Sequence, residues 1–373
     1  MMQRSKVKIE MRNQVLSVIP YYGGKAKMND LLVDMLDYDN THIYIEPFAG
    51  GARTLLNKPR HQIEWMNDLS TGIQALFTVL TKEDTTKQLT DFLYKTSFTR
   101  DWFNWALDYR NSIEDNAVGE IKRQMISYID KIAPDLWKEF KRKSSIVNID
   151  SALKELDISI DERKRARVLM QKYMTLKGHK GLRELTFNEA FNNNDYSHIE
   201  HAAATFIVYQ MSRDAMGKYF SKLRFKNDNA YYNRVDNLLE ASYRLKGVRI
   251  SALDAYDFFN DEAESPINNP NVMFYCDPTY LSEADVDTYI TSKEDYNPGI
   301  VYKNYWTYSE HESFLKKIQM AQCKMLVSNY RDRTRLYDRY LNSDFGWKSL
   351  EYETVTTVGR GAKSRTEVLW YNY

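Results

Sequence analysis

The alternation of apolar and polar positions divides the chain into two stretches of strand and helix separated by a long helical one. Residues 42–46 (His-Ile-Tyr-Ile-Glu) alternate toward an abrupt Pro-Phe-Ala-Gly-Gly turn, and the Ala-Arg-Thr-Leu-Leu that follows reads as the start of a helix. A second short strand over 62–66 ends in Asn67-Asp68, and residues 70–80 read as a helix. From about 85 to 245 the period is helical, as in Ile121 to Ile132 and Arg163 to Leu176, with many charges and aromatics. Strand signals then return. Val248-Arg249-Ile250 precedes Asp254, Val272 to Cys276 precedes Asp277, and Met325 to Ser328 precedes Asn329. Residues 349–358 and 366–373 read as two further strands, a hairpin closing the sheet. The pattern predicts one α/β domain, from 1–84 and 246–373, carrying a helical insertion over 85–245. In an open α/β sheet ligands bind at the carboxyl ends of strands, so Glu46, Asp68, Asp254, Asp277 and Asn329 would share one rim.

Composition narrows the classes. The 373 residues are 43% hydrophobic, enough for a proper core. No stretch approaches the ~18 apolar residues of a membrane span, and the charged N-terminus with Arg4, Lys6, Lys8, Glu10 and Arg12 leads into no apolar run, so neither a span nor export is expected. Cys276 and Cys323 lie in apolar strand-like runs and no Cys/His spacing suits zinc, which predicts a reduced cytoplasmic setting without disulfide or metal. The net charge of +1 hides a strong asymmetry. Residues 122–180 carry 15 Lys and Arg against 8 Asp and Glu, and 213–249 carry 9 against 4, whereas 250–298 carry one Lys against 11 acidic residues. A basic middle can seat a polyanion, although a solvated helix face has the same composition.

Three segments carry candidate chemistry. In Glu46-Pro47-Phe48-Ala49-Gly50-Gly51 a glycine turn between strand and helix lets a ligand approach the backbone. The G-x-G-x-x-G of dinucleotide folds is absent, and an acidic residue ahead of the turn suits a cationic amino-acid cofactor better than a pyrophosphate. An ordinary strand-to-helix turn fits the segment equally well. Asp68, about 20 residues on, stands where a carboxylate accepts from ribose hydroxyls, and also where one caps a helix. In Asn271 to Leu281 a buried strand delivers Asp277 into a turn stiffened by Pro278 and followed by Tyr280. Methylating an exocyclic amine requires acceptors that localise the nitrogen lone pair, and the Asp277 carboxylate and Pro278 carbonyl are suited to that task. Tyr280 is suited to stacking on a base taken out of a duplex. A structural Asp-Pro turn is the plainer alternative.

Tyr21-Tyr22-Gly23-Gly24-Lys25, Glu46 to Gly51, Asn67-Asp68 and Cys276-Asp277-Pro278-Thr279-Tyr280 occur in the order and rough spacing of the Dam-type DNA adenine methyltransferase family. Leu326 to Asn329 and Gly361 to Leu369 resemble the strand after the catalytic loop and the basic loop with terminal strand of that family, so the resemblance covers about residues 19–80 and 247–373. It implies a Rossmann-like methyltransferase sheet with a large, mostly helical inserted target-recognition domain. The activity implied is transfer of a methyl group from S-adenosylmethionine to the exocyclic amine of adenine in double-stranded DNA, leaving S-adenosylhomocysteine, with base flipping and no metal. Residue by residue, the methionine part of the cofactor falls on Glu46, Pro47, Phe48, Ala49 and Gly50, its ribose on Asp68, and its adenine on Asp254 or, second, Asp257. Tyr21 and Lys25 match the cofactor-proximal segment, and Asp277, Pro278 and Tyr280 the catalytic one, with Asp277 also beside the cofactor. The setting implied is a cytoplasmic enzyme of the restriction-modification kind, bacterial or bacteriophage-encoded, with no obligate protein partner.

Two positions depart from the family. Thr279 replaces the usual second proline, restoring a backbone N–H and loosening the turn. Tyr209 to Lys218 does not match the Asn-Arg-x-Gly-Tyr-Asn-Gly stretch of members that read the commonest target, so the target sequence is not inherited. Within 85–245, Arg213, Lys218, Lys222 and Arg224, with Lys226, flank Tyr219 and Phe220 and are the candidate DNA contacts, an aromatic core edge with solvated cations being the alternative. A pyrimidine-carbon methyltransferase would need a Pro-Cys nucleophile, which is missing. A catalytically weakened DNA-binding protein of the same fold is the rival reading, supported by Thr279 alone.

Overall fold

The computed structural model describes residues 15–21, 23, 25, 28–113, 198–213, 217–259, 265–281, 286–287, 306–356 and 363–373, with the side chains of 354–356 and 363–365 left aside. The N-terminal charges, Tyr22, Gly24, the basic interval 122–180 with both of its helical patterns, Asp214 to Met216, parts of the acidic interval and Gly361-Ala362 lie outside the described residues.

Seven strands form one sheet: β1 (Ile43–Glu46), β2 (Ile63–Asn67), β3 (Arg249–Ser251), β4 (Val272–Cys276), β5 (Lys324–Tyr330), β6 (Lys348–Thr356) and β7 (Lys363–Tyr371). Their order is β3-β2-β1-β4-β5-β7-β6. β1 to β5 pair in parallel, and β7 runs antiparallel to both β5 and β6. The two last strands do pair as a hairpin, but the final one is slotted inside and β6 takes the edge. Strand order reverses between β1 and β4, the switch point at which open α/β sheets place their ligands.

Side-chain alternation explains the two layers. Tyr44, Met66, Met273, Tyr275, Leu326 and Leu369 join one core, and Ile45, Phe274, Cys276, Met325, Val327 and Trp370 the other. All five residues of β4 are buried, as expected of a central parallel strand covered on both faces. Cys276 and Cys323 are buried and free.

The first layer contains α1 (Asn29–Met35), α2 (Arg53–Asn57), α3 (Thr71–Leu80), α4 (Glu83–Leu93), α5 (residues 100–113), α6 (His198–Met211) and α7 (Asp228–Leu245). Ser70 caps α3 by accepting from the Ile73 N–H, and Asn227 caps α7 through the Ala230 N–H. α6 is buried along nearly its whole length and lies so close to α3 that a Cβ on Gly72 would come within 2.6 Å of Thr205 Oγ1. The division at 84/85 falls within α4. The described helices between 85 and 245 share one core with the sheet, and residues 114–197 lie outside the described residues. Opposite, α8 (Tyr308–Ile318) opens with a capping box formed by Thr307 and Glu310, and α9 (Leu336–Tyr340) follows β5. Among the described residues no helix is long and apolar enough to cross a membrane.

Candidate active site

β1 ends on Glu46, and the chain turns sharply through Pro47 to Gly51 into α2. Gly50 has φ +50°, and a Cβ there would lie 2.5 Å from Tyr21 Cε1, so glycine is required both by the backbone and by the Tyr21 ring packed on the turn. Ala52 also holds a left-handed conformation, φ +49°, an uncommon state for a residue with a Cβ. The end of β2 holds the turn in place. Asn67 is buried, its Nδ2 donates to the carbonyls of Pro47 and Leu253 at 3.0 Å, and its Oδ1 accepts from the Leu253 N–H and the Ser251 hydroxyl at 2.8 and 2.7 Å. Asp68 accepts from the Gly50 N–H on Oδ2 and from the Ser70 N–H on Oδ1, both at 2.8 Å. Burial nonetheless pushes its carboxyl up to about 6. Asp254 accepts from the Tyr256 N–H at 3.0 Å and caps a single 3₁₀ turn, while Asp257 is exposed. Phe48 meets Trp306 edge-on at 5.0 Å.

Glu46 is the electrostatic anomaly of this rim. It is 3% exposed, accepts one side-chain hydrogen bond, from the Tyr44 hydroxyl at 3.1 Å, and forms no ion pair among the described residues. Burial, with the Asp277 charge adding to it, raises its carboxyl to about 8. Such a group is an acceptor waiting for a cation. The sheet places Asp277 beside it because β1 and β4 are neighbours in register, Ile45 opposite Phe274.

Asp277 follows the last residue of β4. Its Oδ1 accepts from the Ser328 hydroxyl at 2.7 Å and pairs with Lys25 Nζ at 2.9 Å, leaving Oδ2 without a hydrogen bond among the described residues. Lys25 is itself buried, donates to the Gly23 carbonyl at 3.0 Å, pairs with Glu367 at 3.3 Å and lies 4.4 Å from the centre of the Tyr280 ring. The two carboxylates hold its ammonium above the usual lysine range against the opposing effect of burial. Tyr280 donates to Glu367 and meets the Tyr330 ring edge-on at 4.5 Å. Leu281 N–H donates to Asn329 Oδ1 at 3.2 Å. The Thr279 hydroxyl accepts from the Trp306 N–H at 2.8 Å, fastening the segment to the approach of α8. The residue that departs from the family therefore does a structural job. Asn67, Ser328 and Glu367 lie in segments that the sequence singled out, Asn67-Asp68, Leu326 to Asn329 and Gly361 to Leu369, but were given no role there; a polar residue at a strand end or in an otherwise apolar strand is the signal that marks each of them.

The cationic candidates lie after α6. Arg213, Lys218, Lys222 and Arg224 are exposed on a loop pinned by the Ser212–Phe220 bridge, where Tyr219 is also exposed. Beside it a groove of about 510 Å³ is lined by Phe98, Arg100, Phe220, Lys222 and Lys226 among others. The loop is joined to the glycine turn through α6, whose Tyr209 ring lies 5.7 Å from Tyr21 and whose Gln210 donates to the Val18 carbonyl.

Residues 21–129 match the D12 class N6 adenine-specific DNA methyltransferase family. The match agrees in kind with the resemblance drawn from the motifs and covers less than a third of the chain. It spans Tyr21, Lys25, the glycine turn and Asp68, and stops well before Asp277. What D12 chemistry would require of the second half therefore rests on the geometry around Asp277 and Tyr280. No curated protein matches the chain.

Proposed function

We propose that the protein transfers a methyl group from S-adenosylmethionine to the exocyclic amine of adenine in DNA. The observation that carries this reading is a carboxylate at the switch point, Asp277, with one oxygen fixed by Ser328 and Lys25 and the other without a hydrogen bond among the described residues. The adenine amine is a poor nucleophile because its lone pair is delocalised into the ring. Asp277 Oδ2 and the Pro278 carbonyl, as two acceptors, draw its hydrogens away and localise the lone pair on the attacking side. Asp277 is also the neighbouring group to which the amine's proton passes. Tyr280, fixed at its hydroxyl and its edge, offers a ring face to a base turned out of the duplex.

The chemistry of the glycine turn fits the cofactor: the buried Glu46 carboxylate has no ion pair among the described residues, and the Tyr21 ring packs directly on Gly50 at the same turn. Bound there, S-adenosylmethionine supplies an electrophilic methyl on its sulfonium. Glu46 with Pro47, Phe48, Ala49 and Gly50 would hold its amino-acid end, Asp68 its ribose and Asp254 its adenine, while Tyr21 and Lys25 wall the pocket. Asp68 would then exchange at least one of its backbone bonds for a ribose hydroxyl. The interval 85–245 supplies the DNA-facing surface in this reading, with Arg213, Lys218, Lys222 and Arg224 on phosphates. The test is label transfer from tritiated S-adenosylmethionine to unmethylated DNA. Parent protein should label DNA, and Asp277→Ala should not, while the variant stays folded, with a thermal midpoint lowered by the loss of Lys25's partner, and still binds cofactor. Labelling that survives Asp277→Ala would remove Asp277 from the chemistry, and cofactor binding without any label on DNA would remove the reaction itself.

A further inference from the structure

We infer that Glu367, on the last strand, is a positioning residue of the transfer site, acting through Tyr280 and Lys25. The inference rests on the reading of Asp277 and Tyr280 given above and adds a residue from outside the matched segment.

The slotted strand makes the arrangement possible. Because β7 lies between β5 and β6, Glu367 pairs in register with Tyr330, and the Tyr330 ring abuts Tyr280. Glu367 is 5% exposed, a rare state for a glutamate unless its charge is used. One oxygen, Oε1, accepts from the Tyr280 hydroxyl and pairs with Lys25 at 3.3 Å. Burial and the nearby carboxylates of Asp277 and Glu367 raise the Tyr280 hydroxyl well above its ordinary range, so it stays a donor to Glu367. Lys25 in turn spends its other donors on Asp277 Oδ1 and the Gly23 carbonyl. Glu367 thus fixes the tilt of the ring directly and the rotation of the Asp277 carboxylate through Lys25. Removing it would orphan a buried hydroxyl and leave Lys25 free to recentre on Asp277, turning the acceptor that the amine needs. A shift of about 1 Å at a reacting group can cost on the order of 100-fold in rate without any loss of binding.

The experiment compares parent, Glu367→Ala, Glu367→Gln, Tyr280→Phe and the double variant Tyr280→Phe/Glu367→Ala. It measures kcat and KM for DNA methylation, S-adenosylmethionine affinity and thermal midpoint. Glu367→Ala should lower kcat about 100-fold with cofactor affinity within about twofold of the parent's. Glu367→Gln, which keeps the acceptor and the shape, should recover part of that loss. If the hydroxyl acts only through Glu367, Tyr280→Phe should cost rate in the parent but almost nothing more in the Glu367→Ala background. A kcat for Glu367→Ala within about threefold of the parent's, or losses that multiply in the double variant, overturns the inference while leaving the methyltransferase reading intact. A parent that labels no DNA overturns both.

Discussion

Replacing Glu46 with glutamine should make the protein more stable and its cofactor site weaker. A carboxylate whose ordinary value is 4.5 and whose folded value is about 8 must hold a proton in the folded protein at pH 7 that it gives up on unfolding. The sign follows directly: between 4.5 and 8 the folded state binds more protons, so stability is present at low pH and is lost as pH rises toward 8. Each pH unit costs about 1.4 kcal/mol. Over the 2.5 units from 4.5 to 7 this reaches about 3 kcal/mol. Glutamine escapes that cost but carries an amide N–H₂ with no acceptor provided for it, worth about 1–3 kcal/mol against it. A net gain of about 1 kcal/mol at pH 7, growing by about 1.4 kcal/mol per unit up to pH 8, is the expected outcome. Urea unfolding of parent and variant at pH 5, 6, 7 and 8 measures it. The difference between the two proteins removes what they share, including His61, His201 and His311, all depressed by burial to between about 3 and 4, and leaves Glu46 together with its effect on Lys58, which burial depresses to about 8. Cofactor binding should move the other way. Only the ionised carboxylate pairs with an ammonium, so S-adenosylhomocysteine affinity in the parent should rise about fivefold from pH 7 to pH 8, with nearly one proton released at pH 7. Glu46→Gln should bind weakly at every pH. A stability difference that does not change with pH, or parent affinity flat between pH 7 and 8, would refute the argument that Glu46 waits protonated for a cation.

Gly50→Ala should cost at least 1–2 kcal/mol for its positive φ, plus the contact with Tyr21, and weaken cofactor binding; adding Tyr21→Ala should restore part of the stability, as denaturant midpoints will report. Thr279→Val keeps the shape but leaves the Trp306 N–H without its acceptor, so stability should fall by about 1–3 kcal/mol and kcat with it, while Thr279→Ser should preserve both. Glu64 lies buried between Lys58, at 2.5 Å, and Arg244, at 2.6 and 2.9 Å, and these two cations hold its carboxyl below the usual range. Its contribution is therefore present above pH 4.5 and is lost on acidification, and Glu64→Ala should cost about 3–5 kcal/mol in unfolding experiments at neutral pH. Lys222→Ala and Arg224→Ala should each lower the slope of log affinity for duplex DNA against log salt by about one, in filter binding or fluorescence anisotropy at several salt concentrations.

Elements dominated by local pattern were legible in the sequence. The unbroken apolar run of β4 and the glycine turn after β1 fall where alternation and turn chemistry put them, and α3 begins within one residue of the predicted start at 70, although Ser70 rather than Asp68 is its cap. Long-range register was not legible. Nothing local in residues 363–371 says that this strand runs between β5 and β6, and so nothing local says that Glu367 reaches Tyr280. The charges of α4 and α7 gave the stretch after 85 the look of a separate helical region, whereas their apolar faces close over α3 together with α6. The signal available was α6 itself, whose Ala-Ala-Ala-Thr-Phe-Ile-Val-Tyr run is apolar on every face and so belongs inside a core. Asn67 and Asp68 stood side by side at a strand end; pairing with β3 hands Asn67 the task of joining three chain segments, and sequence alone does not tell the two apart.

The site is built from strand residues separated by as many as 321 positions, Glu46 to Glu367, and the sheet arrangement explains why they can act together. Glu46, Asp277 and Ser328 come from β1, β4 and β5, three adjacent parallel strands with their carboxyl ends on one rim. Glu367 reaches that rim from the opposite direction, early in the antiparallel β7, opposite Tyr330 at the end of β5. A parallel strand in that slot would bring its last residues to the rim, just before the chain must leave the sheet. The antiparallel one brings its first residues there and anchors its remaining length between two neighbours, from Val368 to Tyr371 beside β5. Glu367 is thereby held by backbone pairing on both sides, to Tyr330 and to Tyr352, a more rigid mount than a loop would provide for a group that must fix a ring and an ammonium at once. Asp277 and Tyr280 sit on a turn that itself has no strand pairing, so their precision has to come from Ser328, Asn329, Thr279 and Glu367, side chains whose positions are set by the sheet and by the approach to α8.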